Sequence, residues 1–510
     1  MDRGLISTGS KEATEAASEI LKLGGNAFDA AISAVMTSMT SEVNLTSMAG
    51  GGSMLAYKHG QRPILFDFFV DAPSLKNKSS FEFYKTDINF GDTSQTFHIG
   101  KGSIAVPGNI KGLLYTHKRL GKLPFRIVSE PAIEIARKGA VLSNSQSYIT
   151  SLLRKILETS EASKMLFFNN KQIISEGDIF KNEDLAEFIE WISEDGDRPF
   201  YEGEVGRKMI DYLGEDGVIS QKDLLDYKVI ERDPLEQKID GKYLYTNPSP
   251  SVGGTLIVFL LKMLCKVDAS YSSNNDLLVY LMAATTKARS KYYKSPDNQY
   301  QLDEILNQEI IQKYSQMLDN NIFNFIDSFN DNRFGSTTHV SVLDNEGNAA
   351  SITTTNGESC GHVLPGTGII LNNMLGEEDL NPLGFHNWTK SKRLPTLISP
   401  SIVLDEEGSV DLVLGSAGSN RIRSAIVQVL LNYLVKGMSL GEAVYAPRIH
   451  LESNELHFEP GLQFSDEILS NKKLLFNRFS DFNLFFGGVN AVSKKEAVAD
   501  PRRGGCGLIC

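Results

Sequence analysis

The chain has 510 residues, and 51 Lys+Arg against 63 Asp+Glu give it a formal net charge of −12. Nucleic acids and anionic membranes are bound by clustered Lys and Arg, so this mild acidity argues against both as the main partner. With 41% hydrophobic and 22% charged residues, the composition is that of an ordinary globular protein. The length predicts two or more domains or one large intertwined unit.

Neither a targeting segment nor a metal site is predicted. The N-terminal residues MDRGLISTGS lack the apolar core of a signal peptide, and the best apolar run, 256–264, is interrupted by Lys262. We therefore expect a cytoplasmic protein without a membrane partner. The four cysteines are too few for a disulfide framework, which predicts free or buried thiols. Without a His, Cys or acidic cluster of metal spacing, neither a metal nor a cofactor is expected.

The first part of the chain is predicted to combine many helices with a few short strands. Helical spacing predicts helices at 10–25, 28–38, 110–120, 127–138, 184–193, 256–264 and 276–293. Short strands are predicted at 54–58, 63–69 and 243–246, and the polar stretch 74–101 is predicted to be a loop. The glycine run AGGGS, 49–53, lies between a helix and a strand and lacks the lysine of a phosphate-binding loop.

Strand content rises after residue 335, beyond a predicted helix and polar linker at 303–331. Residues 338–343 and 349–355 alternate as the two strands of a hairpin around the turn at 344–348. Further strands are predicted at 398–404 and 411–414, followed by a helix at 421–434. Helices that flank strands in both halves indicate stacked layers to which both halves contribute.

The predicted hairpin carries the densest group of hydroxyls in the chain. Val340 and Val342 should face one way, with Thr337, His339 and Ser341 on the other face. The β-propensity of threonine alone could account for this pattern. On the same strand face, His339 is poorly placed to take a proton from Thr337. A cut just before a threonine would supply another base, its own α-amine, whose pKa is ~7.7–8.

The segment GSTTHVSVLDNEGNAASITTT, 335–355, resembles the processing site and first small-subunit hairpin of the γ-glutamyltransferases, which belong to the N-terminal nucleophile hydrolase superfamily. Further similar segments are EILKLGGNAFDAAIS (19–33), AGGGSM (49–54), VPGNIKG (106–112), PSPSVGG (248–254), ILNNM (370–374), KRLPTLISPSIV (392–403), GSAGSNRI (415–422) and APRIH (446–450). The resemblance thus covers nearly the whole chain.

The resemblance implies an α/β protein with a four-layer αββα sandwich built from both halves of the chain. It also implies a precursor that cleaves itself between Ser336 and Thr337, which gives a large subunit, 1–336, and a small subunit, 337–510. The two fragments would form one intertwined unit and act on a small-molecule amide or peptide. A homodimer of processed units is considered as a further assembly.

The resemblance also implies roles for four residues. Thr337 would be the nucleophile, with its new amine as the base, and Thr355 would hydrogen-bond to it. Gly418 and Ser419 align with the paired glycines whose backbone N–H groups form the family's oxyanion hole. A serine in the second place keeps its backbone donor, so this function can survive.

The aligned substrate-binding positions depart from the family pattern. Phe69 stands where the family has an arginine that holds the α-carboxylate of the glutamyl group, and a carboxylate buried against a phenyl ring is unpaired, at a cost of several kcal/mol. The family's serine pair, glutamine and amine-binding aspartate become Thr396-Leu397, Met374 and Glu377. The expected asparagine is Gly357, flanked by Asn356 and Glu358, which could substitute for it.

These features predict a self-processing threonine amidohydrolase or acyltransferase that cleaves a γ-glutamyl-like, glutathione-like amide through an acyl-enzyme. The acyl preference should be altered, although Arg62, Lys392 or Arg393 could still supply a cation. The short lid segment 381–392, with Trp388 over an open cleft, favours hydrolysis over transfer. One alternative is a related, cephalosporin-acylase-like amide acylase. A degenerate homologue used for binding is the other alternative, supported only by Phe69, Leu397 and Met374.

Overall fold

The computed structural model describes residues 2–75, 81–89, 94–266, 275–292, 302–319, 336–381 and 384–510. Most of the linker predicted before residue 335 lies outside these ranges. Two antiparallel sheets form the centre of the fold. The first has seven strands, in the spatial order Ile230–Arg232, Ile64–Phe68, Gly51–Tyr57, Ala349–Thr355, Thr338–Asp344, Gly4–Thr8 and Cys506–Ile509. Strands from the first and second halves of the chain therefore lie side by side within a single sheet.

The second sheet has six strands, in the order Leu235–Ile239, Lys242–Thr246, Ser401–Leu404, Val410–Ala417, Gly488–Ser493 and Ala497–Val498. Apolar side chains from both sheets, including Leu55, Leu343, Val413 and Val492, share one buried cluster. The two sheets therefore pack face to face. Because neither sheet is built from one half of the chain alone, the expectation of layers shared by both halves is confirmed.

The predicted hairpin is confirmed. Thr338–Asp344 pairs with Ala349–Thr355 in a register that places Ser341 opposite Ser351. Asp344 closes the turn, since its Oδ1 accepts the backbone N–H groups of Glu346 at 3.0 Å and of Asn348 at 2.9 Å. A local side-chain acceptor of this kind is a common way to fix a tight connection.

The two faces of this hairpin divide as the alternation predicts. Val340 and Val342 pack in the apolar cluster that also contains the first two helices. The hydroxyl face lies between the sheets, where Ser341 donates to the Asn490 carbonyl at 3.0 Å and Ser351 to the Leu414 carbonyl at 2.9 Å. Many of these hydroxyls therefore join the two sheets.

Helices cover the other face of each sheet. Lys11–Lys22 and Ala27–Ser41 pack on the first sheet, and Ser10 and Asn26 cap them at their N-termini. Val252–Leu264 and Arg421–Leu430 pack on the second sheet. Among the described residues, no helix is both long and apolar enough to cross a membrane.

Shorter elements surround these layers. The remaining α-helices are Asn109–Leu120, Phe125–Lys138, Asn144–Leu152, Arg154–Leu157, Glu161–Phe167, Glu183–Asp195, Arg198–Tyr201, Glu204–Leu213, Gln221–Asp226, Asn275–Tyr292, Gln308–Asp319, Leu440–Tyr445 and Asp466–Leu469. The small sheets comprise Tyr84–Asn89 with Ser94–Ile99, Ala140–Val141 with Ile179–Phe180, Phe168–Asn169 with Gln172–Ile173, Val363–Leu364 with Ile369–Ile370, and Ile449–Glu452 with Glu455–Phe458 and Leu475–Arg478.

One expectation on secondary structure is wrong. The stretch 74–101, predicted to be a loop, contains the hairpin Tyr84–Asn89 and Ser94–Ile99. Its mostly polar strands lack a strong apolar alternation, so their pairing was not visible in the sequence. The helix predicted at 421–434 is confirmed, and its last turn, Leu431–Val435, is π-helical rather than α-helical.

Candidate active site

The peptide bond between Ser336 and Thr337 is held from two sides at the start of the hairpin. The hydroxyl of Thr355 donates to the Ser336 carbonyl oxygen. The Ser336 N–H donates to Oε1 of Glu358 at 3.1 Å. Both Ser336 and Thr337 are buried. The carbonyl that precedes Thr337 is therefore polarised by a hydroxyl and shielded from bulk water.

Thr355 is oriented by the residues that follow it. The Gly357 N–H donates to the Thr355 hydroxyl oxygen at 3.1 Å, which leaves the hydroxyl hydrogen for the Ser336 carbonyl. Gly357 has a φ of +61°, and a Cβ there would lie 2.1 Å from Asn373 Oδ1 and 2.3 Å from Glu377 Oε1. A side chain at position 357 would displace these polar groups, so glycine is required.

Glu358 is a fully buried carboxyl group in this turn. Its backbone N–H donates to Asn373 Oδ1 at 2.9 Å, which ties the turn to the segment that carries Glu377. Burial raises the pKa of Glu358 to about 8, and the charge of Asp379 acts in the same direction. By contrast, Asn356 directs its amide nitrogen to the Leu371 carbonyl at 3.5 Å. Of the two candidate substitutes for the expected asparagine, only Glu358 contacts Ser336.

The glycine run at 49–53 allows close packing beside Thr355. A Cβ on Gly50 would lie 2.2 Å from the Thr355 carbonyl oxygen, and one on Gly51 2.8 Å from the Val70 nitrogen. Gly51 also pairs with Thr355 across the sheet. These glycines therefore allow neighbouring backbone segments to pack closely. This role agrees with the sequence, in which the glycine run matches a phosphate-binding loop only weakly.

Gly418 and Ser419 lie between the strand Val410–Ala417 and the helix Arg421–Leu430. Gly418 has a φ of +121° and Ser419 a φ of +49°, a left-handed conformation that a non-glycine residue adopts at some cost. The Ser419 hydroxyl donates to Asp379 Oδ2 at 2.5 Å. Since Asp379 acts electrostatically on Glu358, this turn is linked to the Ser336–Thr337 bond.

The predicted acyl-binding positions lie in an apolar region. Phe69, Met374, Leu397 and Trp388 all belong to one hydrophobic cluster and are at most 4% exposed. The backbone of Phe69 adjoins Gly51, the cross-strand neighbour of Thr355. The strand Gly51–Tyr57 therefore separates Phe69 from the strand that carries Thr355.

Thr396 contributes its hydroxyl oxygen to a local turn, where it accepts the Ile398 N–H at 3.2 Å. Trp388 was expected over an open cleft, and this expectation is wrong. Its indole N–H donates to the Pro73 carbonyl at 3.3 Å, and the side chain is only 3% exposed. The neighbouring positions 382–383 of the expected lid lie outside the described residues.

Arg393 does not fill the role of the missing arginine. Its guanidinium lies 3.2 Å from carboxylate oxygens of both Asp67 and Asp71 and donates to the Tyr227 hydroxyl at 2.7 Å. Arg62 is exposed and lies 3.9 Å from Asp233. Both guanidinium groups thus already face carboxylates.

Two histidine networks could be mistaken for catalytic sites. His339 lies between Thr353 at 2.8 Å and Ser341 at 2.9 Å, and burial lowers its pKa to about 3. It is therefore a neutral structural group between the sheets. This agrees with the expectation that His339 is poorly placed to take a proton from Thr337.

Ser424, His450 and Glu452 form a second network that the sequence analysis missed. His450 Nδ1 lies 2.8 Å from the Ser424 hydroxyl, and Nε2 lies 3.2 Å from Glu452. This order resembles a catalytic triad. All three residues are at most 3% exposed, and burial lowers the pKa of His450 to about 4. A substrate cannot reach the serine, so we assign the network to structure.

Comparisons with known proteins identify the family. The profile of the gamma-glutamyltranspeptidase family matches residues 13–509. The chain belongs to this family. Two relatives are the glutathione hydrolase proenzymes of Escherichia coli, 28% identical over 92% of this chain and 84% of the relative, and of Pseudomonas aeruginosa, 28% identical over 100% and 95%.

Solved structures support the same fold. The cephalosporin acylase of Bacillus halodurans superposes with a TM-score of 0.82, over 99% of this chain and 96% of the acylase, at 19% sequence identity. The gamma-glutamyltranspeptidase of Helicobacter pylori gives a TM-score of 0.54 over 60% of this chain and 89% of its own, at 24% identity. The chain is thus a mixed α/β member of the gamma-glutamyltranspeptidase family, an enzyme family.

Proposed function

We propose that this chain is a precursor that cleaves itself between Ser336 and Thr337 and then works as a threonine amidohydrolase of γ-glutamyltransferase type. Family membership supports the class of reaction. The observation that carries the proposal is the hydrogen bond from the Thr355 hydroxyl to the Ser336 carbonyl oxygen. The packed sheets and their covering helices support a four-layer αββα sandwich of the N-terminal nucleophile hydrolase type.

In self-cleavage, the Thr337 hydroxyl attacks the Ser336 carbonyl carbon. The new O–C bond forms, and the oxygen atom that Thr355 contacts takes up the developing negative charge. The C–N bond then breaks, and the proton lost by the hydroxyl passes to the Thr337 nitrogen. Water hydrolyses the resulting ester and releases the carboxylate of Ser336 together with the free α-amine of Thr337.

The processed enzyme repeats this chemistry on a substrate amide. The Thr337 α-amine accepts the hydroxyl proton as the oxygen attacks the amide carbon, and the proton then passes to the departing amine. Gly418 and Ser419 are proposed to donate their backbone N–H groups to the oxyanion. Water then hydrolyses the acyl ester, and we propose hydrolysis rather than transfer as the main outcome because the two bacterial relatives are named glutathione hydrolases.

The substrate is proposed to be an amide with a short, γ-glutamyl-like acyl group. The apolar side chains of Phe69, Met374 and Leu397 support an altered preference, because none of the three can pair with a free α-carboxylate. Arg393 does not compensate, since Asp67 and Asp71 already surround its guanidinium. An acylase with changed acyl specificity is therefore a variant of the same proposal.

The test compares the wild-type chain with Thr337→Ala and Thr337→Ser. On a denaturing gel, the wild type should give fragments 1–336 and 337–510, and Thr337→Ala should remain one chain without amidase activity. Thr337→Ser keeps a hydroxyl nucleophile and should still split, more slowly. Cleavage of Thr337→Ala at the same bond would contradict the proposal.

A further inference from the structure

Glu358 presents an incompletely paired carboxyl group beside the N–H that precedes the proposed cleavage bond. Oε1 accepts the Ser336 N–H at 3.1 Å. Oε2 is buried and has no hydrogen-bond partner among the described residues. The side chain is only 2% exposed, so bulk water does not replace the missing partner. In its ionised form this carboxyl group calls for a donor at Oε2, because an unsatisfied buried oxygen is costly.

Ser336 shows where that donor lies relative to the nucleophile. During self-cleavage Ser336 becomes an acyl group esterified to Thr337, and its nitrogen is carried on the carbon next to the ester carbonyl. The Ser336 N–H therefore represents a nitrogen donor on the acyl part of a substrate. Once the large fragment has been released from the ester, Glu358 loses this donor and faces the position that the next acyl group takes.

The charges around Glu358 favour a positive donor. Glu377 Oε1 would lie 2.3 Å from a Cβ on Gly357, so a second carboxyl group borders the same turn. Asp379 adds a negative charge that acts on Glu358. The buried cation Arg421 opposes them, but its Nε donates to the Phe485 carbonyl at 3.0 Å and its guanidinium lies 4.9 Å from the Phe485 ring centroid.

We propose that Glu358 is a specificity-determining residue that binds an ammonium group on the acyl part of the substrate. The side chains of Phe69, Met374 and Leu397 are apolar and offer no hydrogen bond to a carboxylate. The processed enzyme should therefore prefer amides whose acyl group carries an amino group and no carboxylate. This inference rests on the proposed function, since it needs Thr337 to form an acyl-enzyme. The ammonium group itself is not consumed.

The test uses p-nitroanilides whose acyl groups differ by one charged group at a time. Glycyl, 3-aminopropanoyl and 4-aminobutanoyl anilides are compared with acetyl, propanoyl and butanoyl anilides of the same chain length. Glutaryl and γ-glutamyl anilides add a carboxylate. At least one amino-acyl substrate should exceed its neutral counterpart by about tenfold or more in kcat/KM, because a buried polar site rejects a substrate that leaves it unpaired. The 4-aminobutanoyl anilide should exceed both carboxylate-bearing substrates.

Glu358→Gln isolates the charge of the carboxyl group. Glutamine keeps an oxygen that can accept the Ser336 N–H, so the variant should still process. Its preference for the amino-acyl over the neutral substrate should fall to within about twofold, because the charge that strengthens the hydrogen bond is gone. Glu346→Gln is the matched control, since Glu346 is exposed in the turn at the far end of the same hairpin. This control should keep the wild-type preference.

The possible results distinguish a failure of the proposed Glu358 role from a failure of the proposed function. A cleaved enzyme that prefers glutaryl or γ-glutamyl anilide, or that treats amino-acyl and neutral substrates alike, overturns the role of Glu358 and leaves self-cleavage intact. So does a cleaved enzyme that turns over none of the substrates. An uncleaved and inactive wild-type chain overturns the proposed function, and the inference falls with it. If Glu358→Gln does not process, the wild-type substrate series decides alone.

Discussion

The two sides of the candidate site differ in how closely their residues follow the pattern of the family. On the nucleophile side, polar groups surround the Ser336–Thr337 bond, with the Thr355 hydroxyl on its carbonyl and Glu358 on the preceding N–H. On the acyl side, Phe69, Met374 and Leu397 pack in an apolar cluster. The family's reaction chemistry and its substrate recognition are therefore separable in this chain. We propose that bond making requires the first side and that the acyl preference depends on the second side together with Glu358.

The role of the nucleophile side in self-cleavage can be tested at Thr355. Thr355→Val removes the hydroxyl and keeps nearly the same shape, so the Ser336 carbonyl loses its donor. Self-cleavage should slow about 100-fold or more, as is typical when one oxyanion donor is removed. The time course of fragment appearance on a denaturing gel measures this effect.

Thr355→Ser is the matched control because it retains the hydroxyl. It should process at a rate within about tenfold of the wild type. If Thr355→Val processes as fast as Thr355→Ser, the hydrogen bond to Ser336 has no role in cleavage.

The acyl side can be changed by Phe69→Arg. The new guanidinium should improve kcat/KM for glutaryl over butanoyl anilide by about tenfold, because a charged hydrogen bond to the carboxylate becomes available. The free protein should melt at a lower temperature, since an unpaired buried charge is costly.

Phe69→Leu provides the comparison for this substitution. It changes the size of the side chain without adding charge, so the ratio of glutaryl to butanoyl activity should stay near the wild-type value. An equal shift in both variants would mean that the ratio reports packing rather than charge.

Glu358 should give the nucleophile side a characteristic pH dependence. Its pKa in the folded chain is raised to about 8 by burial, above the ordinary value of 4.5. The folded state therefore binds the proton more tightly than the unfolded state, so this group's stabilising effect is complete below about pH 4.5 and is lost as the pH rises towards 8.

The measurement uses Thr337→Ala, which should keep the chain intact, with and without Glu358→Gln. The difference in melting temperature between the two proteins isolates Glu358 from the other titrating groups. Thr337→Ala alone should lose stability relative to the double variant as the pH rises from 5 to 8. A difference that is independent of pH would show that Glu358 does not titrate in this window.

The smallest effect is expected at Ser419. Ser419→Gly removes the hydroxyl that donates to Asp379 at 2.5 Å, and it also relieves a φ of +49° worth about 1 kcal/mol of strain. The backbone N–H remains, so kcat should stay within about threefold of the wild type. A loss of 100-fold or more would assign the hydroxyl a direct part in catalysis.

Much of the fold could be predicted because its signals are local. The hairpin of residues 338–355 follows from alternation and turn residues, and the helix Lys11–Lys22 follows from helical spacing and the cap at Ser10. The hairpin Tyr84–Asn89 with Ser94–Ile99 could not be predicted, since polar strands leave little periodic signal. The function class came from motifs that extend across the chain.

The contacts within the candidate site depend on segments that are distant in sequence. The ion pairs of Arg393 with Asp67 and Asp71 join residues more than 300 positions apart, and no local sequence pattern indicates them. Glu358 was a candidate for substrate binding, but its contact with the Ser336 N–H required the folded chain. The burial of Trp388 overturned the expected open cleft for the same reason.

Intact-mass and N-terminal analysis of the purified wild-type chain tests the central claim most directly. We expect two fragments, 1–336 and 337–510, with Thr337 as the free N-terminus of the smaller one. A single uncleaved chain of 510 residues, or a cut at any other bond, would contradict it.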